Sequence, residues 1–300
     1  MSADALAGPR LSLDLLADVR ELLAYHFMVN ALWAGTLVAV MAAAIGWVMI
    51  LRRQSFAGHT LSVIAFPGAT GATLLGVPAL AGYFAFCAVG ALALARVSGA
   101  GPRGHSQESA AIGTVQALAL ASGFLFVTLY HGVLEATGAL LFGTFLGITD
   151  RQVLALAAVS AASVMVLVAL GRPLLFASVD PDVARARGVP VGALAAVFLL
   201  LLGLAVAATA QITGALLVFA LLVMPAATAQ ALTTRPALGL ALAVVVAVAV
   251  SWVGLGLAFF SPYPVGFWVT SLAFALFVCA RVARALADRR RLHMRPPASR

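Results

Sequence analysis

Few side chains in this sequence can do chemistry, and they are scattered. His131 and Glu135 stand four apart. On a helix that spacing puts an imidazole and a carboxylate on one face, as a metal site or a salt-bridged surface. His59 is a lone imidazole near the start of an apolar run, placed either to line a cation path or to pack at a helix end. Cys87 and Cys279 lie far apart within apolar runs and read as small core hydrophobes rather than a disulfide or a metal pair. No HExxH or GxSxG occurs, and Glu135 is the only acidic residue well inside an apolar run, so no catalytic residue is assigned. The chain contains no lysine, which rules out a GxxxxGK[ST] phosphate loop.

The elements that must hold these residues follow from composition. Of 300 residues 63% are apolar and 9% are charged, against about 25% charged in a soluble domain. Too few charges remain to coat a globule in water, and a soluble enzyme, a disordered chain and a disulfide-built scaffold are all excluded. The expected class is an all-α, polytopic integral membrane helical bundle.

Apolar runs bounded by Gly, Pro and Arg give nine spans. These are Ala31–Leu51, Thr60–Leu75, Pro78–Ala95, Ala111–Tyr130, Gln152–Leu170, Val191–Ala210, Gly214–Leu232, Ala237–Phe260 and Val265–Val282. A tenth stretch, Val133–Leu146, reaches only about 21 Å at 1.5 Å per residue and reads as re-entrant or short and tilted. Leu11, Leu15, Leu16, Val19, Leu22 and Leu23 fall at helical spacing, so residues 1–26 are expected to form an amphipathic segment at the interface. The membrane domain then covers 27–286, and 287–300 is a basic tail.

All eighteen basic residues are arginine, and seven lie in the last twenty positions. With nine spans, every arginine except Arg10, Arg20 and Arg151 shares a side with the C-terminus. The positive-inside bias makes that side cytoplasmic and puts the N-terminus outside. Aromatic residues do not interleave with this charge, so nucleic acid is not an expected partner; anionic lipid headgroups are.

One loop on the arginine side, Arg172–Pro190, carries its own helix signals. Asp180 can cap, Pro181 suits the first helical position, Asp182 favours the N-terminal dipole, and Gly188 can end the helix. Such a helix is either a connector or a surface on which another protein presses.

At this loop the sequence resembles the permease subunits of metal-type ABC importers, the branch carrying zinc, manganese or iron. The matching segments, in order, are YHFMVNALWAGTLVAVMAAAIGWVMILRRQSFAGHTLS, ESAAIG at Glu108–Gly113, LLFGTFLGI at Leu140–Ile148, SVDPDVARARGVPV at Ser178–Val191 and TGALLVFALLVMPAATAQ at Thr213–Gln230. Together they cover roughly Tyr25 to Val282.

The resemblance implies a multi-pass permease of the plasma membrane, paired as a homodimer or with a paralogue. It would dock cytoplasmic ABC ATPase subunits that hold ATP and Mg, and take a transition metal as cargo from an extracytoplasmic binding protein. No cofactor is bound by the chain itself. Asp180–Pro190 would be the coupling helix, with Ala184 and Gly188 as a smooth packing face and Asp182, Arg185 and Arg187 as polar rim. The path would use His59 and Ser62 on the second span, with Met224 and the kinking Pro225 on the seventh. Where the family has an Asp and a His four apart, this chain has His59 and Val63, one ligand instead of two. An ion-coupled secondary carrier and a non-transporting membrane scaffold are the alternatives.

Overall fold

Each of the nine expected spans coincides with a helix. The computed structural model describes residues 15–99, 105–130, 147–214 and 218–293. Twelve helices run through them: α1 (Leu15–Ala24), α2 (His26–Leu51), α3 (Ser55–Leu74), α4 (Ala79–Gly99), α5 (His105–Tyr130), α6 (Asp150–Ala169), α7 (Gly171–Val179), α8 (Pro181–Ala186), α9 (Val191–Thr213), α10 (Val218–Leu232), α11 (Pro236–Phe259) and α12 (Val265–His293). No strand occurs among the described residues.

Seven of the nine are long and apolar enough to cross a membrane on length and composition alone. The exceptions, α3 and α10, have a physical reason. α3 carries His59, Thr60, Ser62, Pro67, Thr70 and five glycines or alanines between them, yet an unbroken run from Thr60 to Ala72 is buried. It packs on α4, α5 and α9. A helix faced by protein on every side need not satisfy lipid, and small residues let backbones approach. Gly68 and Gly82 do this reciprocally: a Cβ on Gly82 would sit 2.0 Å from the Gly68 carbonyl oxygen. Gly46 of α2 meets α10 the same way, with the Leu222 carbonyl oxygen 2.0 Å from where its Cβ would be.

The helix ends sort into two sets. Arg52 at the end of α2 hydrogen-bonds Ser178 of α7, and Trp47 lies against Gly239 near the start of α11. Arg52, Arg172, Arg185, Arg187 and Arg235 therefore share one end of the bundle. At the other end Asn30, buried, donates to the Ile148 carbonyl at 3.2 Å and to Asp150 at 2.7 Å, and His26 meets the same carboxylate oxygen at 3.0 Å. Leu22 of α1 and the Tyr25–Phe259 ring pair close the same end.

α5 runs parallel to α3, since Thr60 faces Gln116 and Phe66 faces Phe124 at 5.3 Å. Tyr130 and Gly147 thus emerge at one end, the end opposite the arginine set. The stretch Val133–Leu146 lies outside the described residues, and so do His131 and Glu135; its flanks leave and rejoin the bundle on one side.

Two expectations need correcting. Cys87 is buried, but Cys279 is exposed on the outer face of α12 and is not a core residue. α12 also continues well past Val282, through His293, because Ala, Arg and Leu are strong helix formers and no Gly or Pro interrupts them.

Candidate coupling surface and translocation path

The Arg172–Pro190 loop folds from local rules. α7 ends at Asp180, whose backbone turns extended (φ −143°, ψ 92°) and whose carboxylate accepts from the Val183 amide at 3.0 Å. Pro181 fills the first position of α8, where its missing N–H costs nothing. Asp182 pairs with Arg185 at 2.6 Å on the exposed side.

The exit is a paired turn. The Gly188 amide donates to the Arg185 carbonyl at 2.9 Å and the Val189 amide to the Ala184 carbonyl at 3.0 Å, with Gly188 at φ +79°. The helix covers only Pro181–Ala186 rather than the whole Asp180–Pro190 segment, because this turn consumes the remaining residues.

Ala184 is fully buried. It faces the bundle and fixes α8 to it, so the expected smooth face of Ala184 and Gly188 is not a free surface. Nothing lies within 4 Å of a Cβ built on Gly188; its need for glycine is the left-handed backbone, not room for a partner. What the loop does expose is Phe176, Val179 and Val183, apolar and spaced along one side, with Asp182, Arg185 and Arg187 around them. Burial of Ala184 is a tertiary fact, and only the three- and four-residue spacing of Phe176, Val179 and Val183 could have pointed to the alternative face.

Sequence reading also passed over Arg52 as mere punctuation. Its Nη1 donates to Ser178 Oγ at 3.3 Å, its Nε to Gln54 Oε1 at 3.2 Å, and its guanidinium carbon stands 5.3 Å from the centre of the Phe198 ring. Burial draws its pKa below the usual arginine value, but a guanidinium keeps its proton under any physiological condition. Arg53, at φ +57°, turns the chain sharply into α3. One cation thus gathers the α2–α3 turn, the end of α7 and the start of α9.

On α3, the half-buried His59 presents its ring edge to Phe219 of α10 at 5.1 Å, and its Nδ1 is buried without a hydrogen-bond partner. Leaving such a nitrogen unpaired costs about 1–3 kcal/mol. Ser62 is buried and donates to the His59 carbonyl at 2.7 Å, so its hydroxyl proton is spent on its own helix. Val63 is buried beside it.

On α10, Pro225 is buried and cannot bond the Leu221 carbonyl, yet the helix continues to Leu232. Met224 is half-buried, and its carbonyl accepts the Thr228 hydroxyl at 2.7 Å. α3 and α10 pack against each other, which brings the two segments of the expected path together. Among the described residues no three His, Cys, Asp or Glu side chains converge on a metal position. The site is one imidazole with a free nitrogen at a helix–helix seam.

Over residues 24–284 the chain matches the ABC 3 transport family. It is 31% identical over 215 residues to the manganese transport system membrane protein MntC of Halalkalibacterium halodurans, covering 72% of this chain and 73% of that one. To the chelated iron transport system membrane protein YfeC of Yersinia pestis it is 33% identical over 211 residues, 70% of each chain. Among solved structures, it superposes on a chain of PsaBC from Streptococcus pneumoniae in complex with Fab with a TM-score of 0.79 and 26% identity, covering 89% of this chain and 95% of that one.

Proposed function

The chain belongs to the ABC 3 transport family, and from that footing we propose that it is the membrane-spanning subunit of an ATP-driven importer whose cargo is manganese, iron or a related transition metal. The cargo reading is supported by relatives whose names specify manganese and chelated iron. The arginine-bearing end faces the cytoplasm, as the positive-inside bias requires, and two permease chains enclose the path.

The observation that carries the mechanism is α8, a capped helix held on the arginine-bearing end by a buried alanine, with an apolar ridge exposed beside it. An ATPase subunit docks there, with Val179 and Val183 as contact and Asp182, Arg185 and Arg187 as rim. Nucleotide binding draws two ATPase subunits together and displaces α8. Arg52 passes that displacement to the α2–α3 turn, and α3 carries His59. An extracytoplasmic binding protein delivers cargo at the opposite end, where His26, Asn30 and Asp150 join α2 to α6.

His59 offers one borderline nitrogen donor to a passing divalent cation. With Val63 in place of a second ligand, cargo dwells briefly rather than being held, which suits a path more than a store.

The test is reconstitution of the chain with its ATPase and binding protein in liposomes. ATP-dependent uptake of manganese or iron supports the reading. Uptake without the ATPase would make the chain a secondary carrier. A protein that neither retains an ATPase on purification nor moves metal would be a scaffold, and either outcome overturns the proposal.

A further inference from the structure

α12 binds the bundle by one face, where Gly266, Val269, Ala273 and Ala280 are buried. Its outer face exposes Phe274, Val278, Val282 and Leu286, four residues apart each time. An apolar stripe of that length requires hydrocarbon against it.

Depth follows from packing. A Cβ on Gly254 of α11 would lie 3.2 Å from the Val269 amide nitrogen, which sets those residues level on antiparallel helices. Equal steps along the two helices bring Arg281 level with Leu242 and Arg284 level with Gly239. Gly239 lies against Trp47, so Arg235 and Arg52 stand at one height. At about 1.5 Å per residue, Arg284 is roughly 6 Å and Arg281 roughly 10 Å to the membrane side of that height.

Both arginines are exposed, in the same turns as Val282 and Leu286. A guanidinium cannot rest in hydrocarbon; its stem lies along the helix and its head seeks the interface. Arg284 meets Asp288 through Nε at 3.3 Å, which leaves its terminal nitrogens outside that pair, and Arg281 has no ion-pair partner among the described residues.

We propose that Arg281 and Arg284 form a binding site for the headgroup phosphate of an anionic phospholipid, whose acyl chains lie along Phe274, Val278 and Val282. Charge decides between occupants: a second copy seated on this face by a two-fold axis would bring four guanidiniums together, whereas a phosphate at this height neutralises the pair and accepts from both.

The experiment is native mass spectrometry of the full chain in neutral detergent with equal amounts of phosphatidylglycerol and phosphatidylcholine. Phosphatidylglycerol is retained in preference by roughly tenfold or more, at about 1 kcal/mol per arginine near the surface. The double variant Arg281→Gln/Arg284→Gln abolishes the preference and leaves phosphatidylcholine retention unchanged. Arg281→Lys/Arg284→Lys keeps most of it, and Arg289→Gln, further out on the helix, keeps all of it. Equal retention of the two lipids, or a preference that survives the glutamine variant, overturns the site. Displacement by millimolar inorganic phosphate would make it a phosphate site rather than a lipid site. Lipid loss coupled to the appearance of a two-chain species would assign the face to a second copy.

Discussion

Arg52 and Ser178, 126 residues apart in sequence, are joined by a hydrogen bond of 3.3 Å. It ties the turn that launches α3 to the residue two before the Asp180 cap. Any movement of α8 therefore reaches the base of the helix that carries His59, without passing through the rest of the bundle.

Arg52→Gln is expected to keep the protein folded while lowering metal uptake several-fold and leaving its partner's ATP hydrolysis running. Ser178→Ala, which removes one acceptor and leaves the cation over Phe198, costs about 0.5–1.5 kcal/mol and has a milder effect. Uptake and hydrolysis measured side by side in liposomes check this: equal losses of both would mean that the contact serves stability alone.

Ala184 and Val183 are neighbours with opposite fates. Ala184→Glu would bury a carboxylate against the bundle, at a cost of several kcal/mol, and is expected to prevent stable expression. Val183→Asp points outward, leaves the melting temperature within about a degree or two, and weakens ATPase docking. Copurification of the ATPase with each folded variant gives the readout, and an unaffected Val183→Asp complex would remove this residue from the docking face.

Gly188→Val places a β-branched residue at φ +79° and opens the turn that closes α8. A destabilisation of about 1–2 kcal/mol is expected from the backbone alone, as none of it comes from crowding. Gly46→Val acts by the other route, driving α2 and α10 apart where the Leu222 carbonyl has no room to yield, with a cost of about 1–3 kcal/mol or more. Thermal unfolding in detergent compares the two.

His59→Ala should slow metal uptake without lowering stability, since the ring leaves an unpaired buried nitrogen behind when present. The melting temperature is expected to hold or rise. His59→Gln, which keeps a polar tip but no imidazole, should transport as poorly as the alanine variant. Uptake equal to that of the parent chain in both variants would return His59 to packing against Phe219.

What the sequence disclosed and what it hid divide along a physical line. The spans and the Asp180–Gly188 caps rest on hydrophobic period and on residues a few positions apart, so they could be read directly. Whether a small residue such as Ala184 faces a partner or the bundle depends on which face the helix turns inward, and six residues carry no such signal. Arg52 with Ser178, and His26 with Asn30 and Asp150, pair across more than a hundred residues each. The free nitrogen of His59 is likewise set by what α10 fails to offer, which no local pattern records.

α9 starts one residue beyond Pro190, just after the turn that closes α8, and runs unbroken to Thr213. At about 1.5 Å per residue that is a rod of roughly 34 Å. Its far tip is Gly214, at φ +75°, a joint with the freedom a stiff rod lacks. A shove delivered at the cytoplasmic tip would arrive there nearly undiminished, as a lever moves a hinge. Stiffening that hinge with a bulkier residue would strike at stroke transmission, far from both the motor and the cargo.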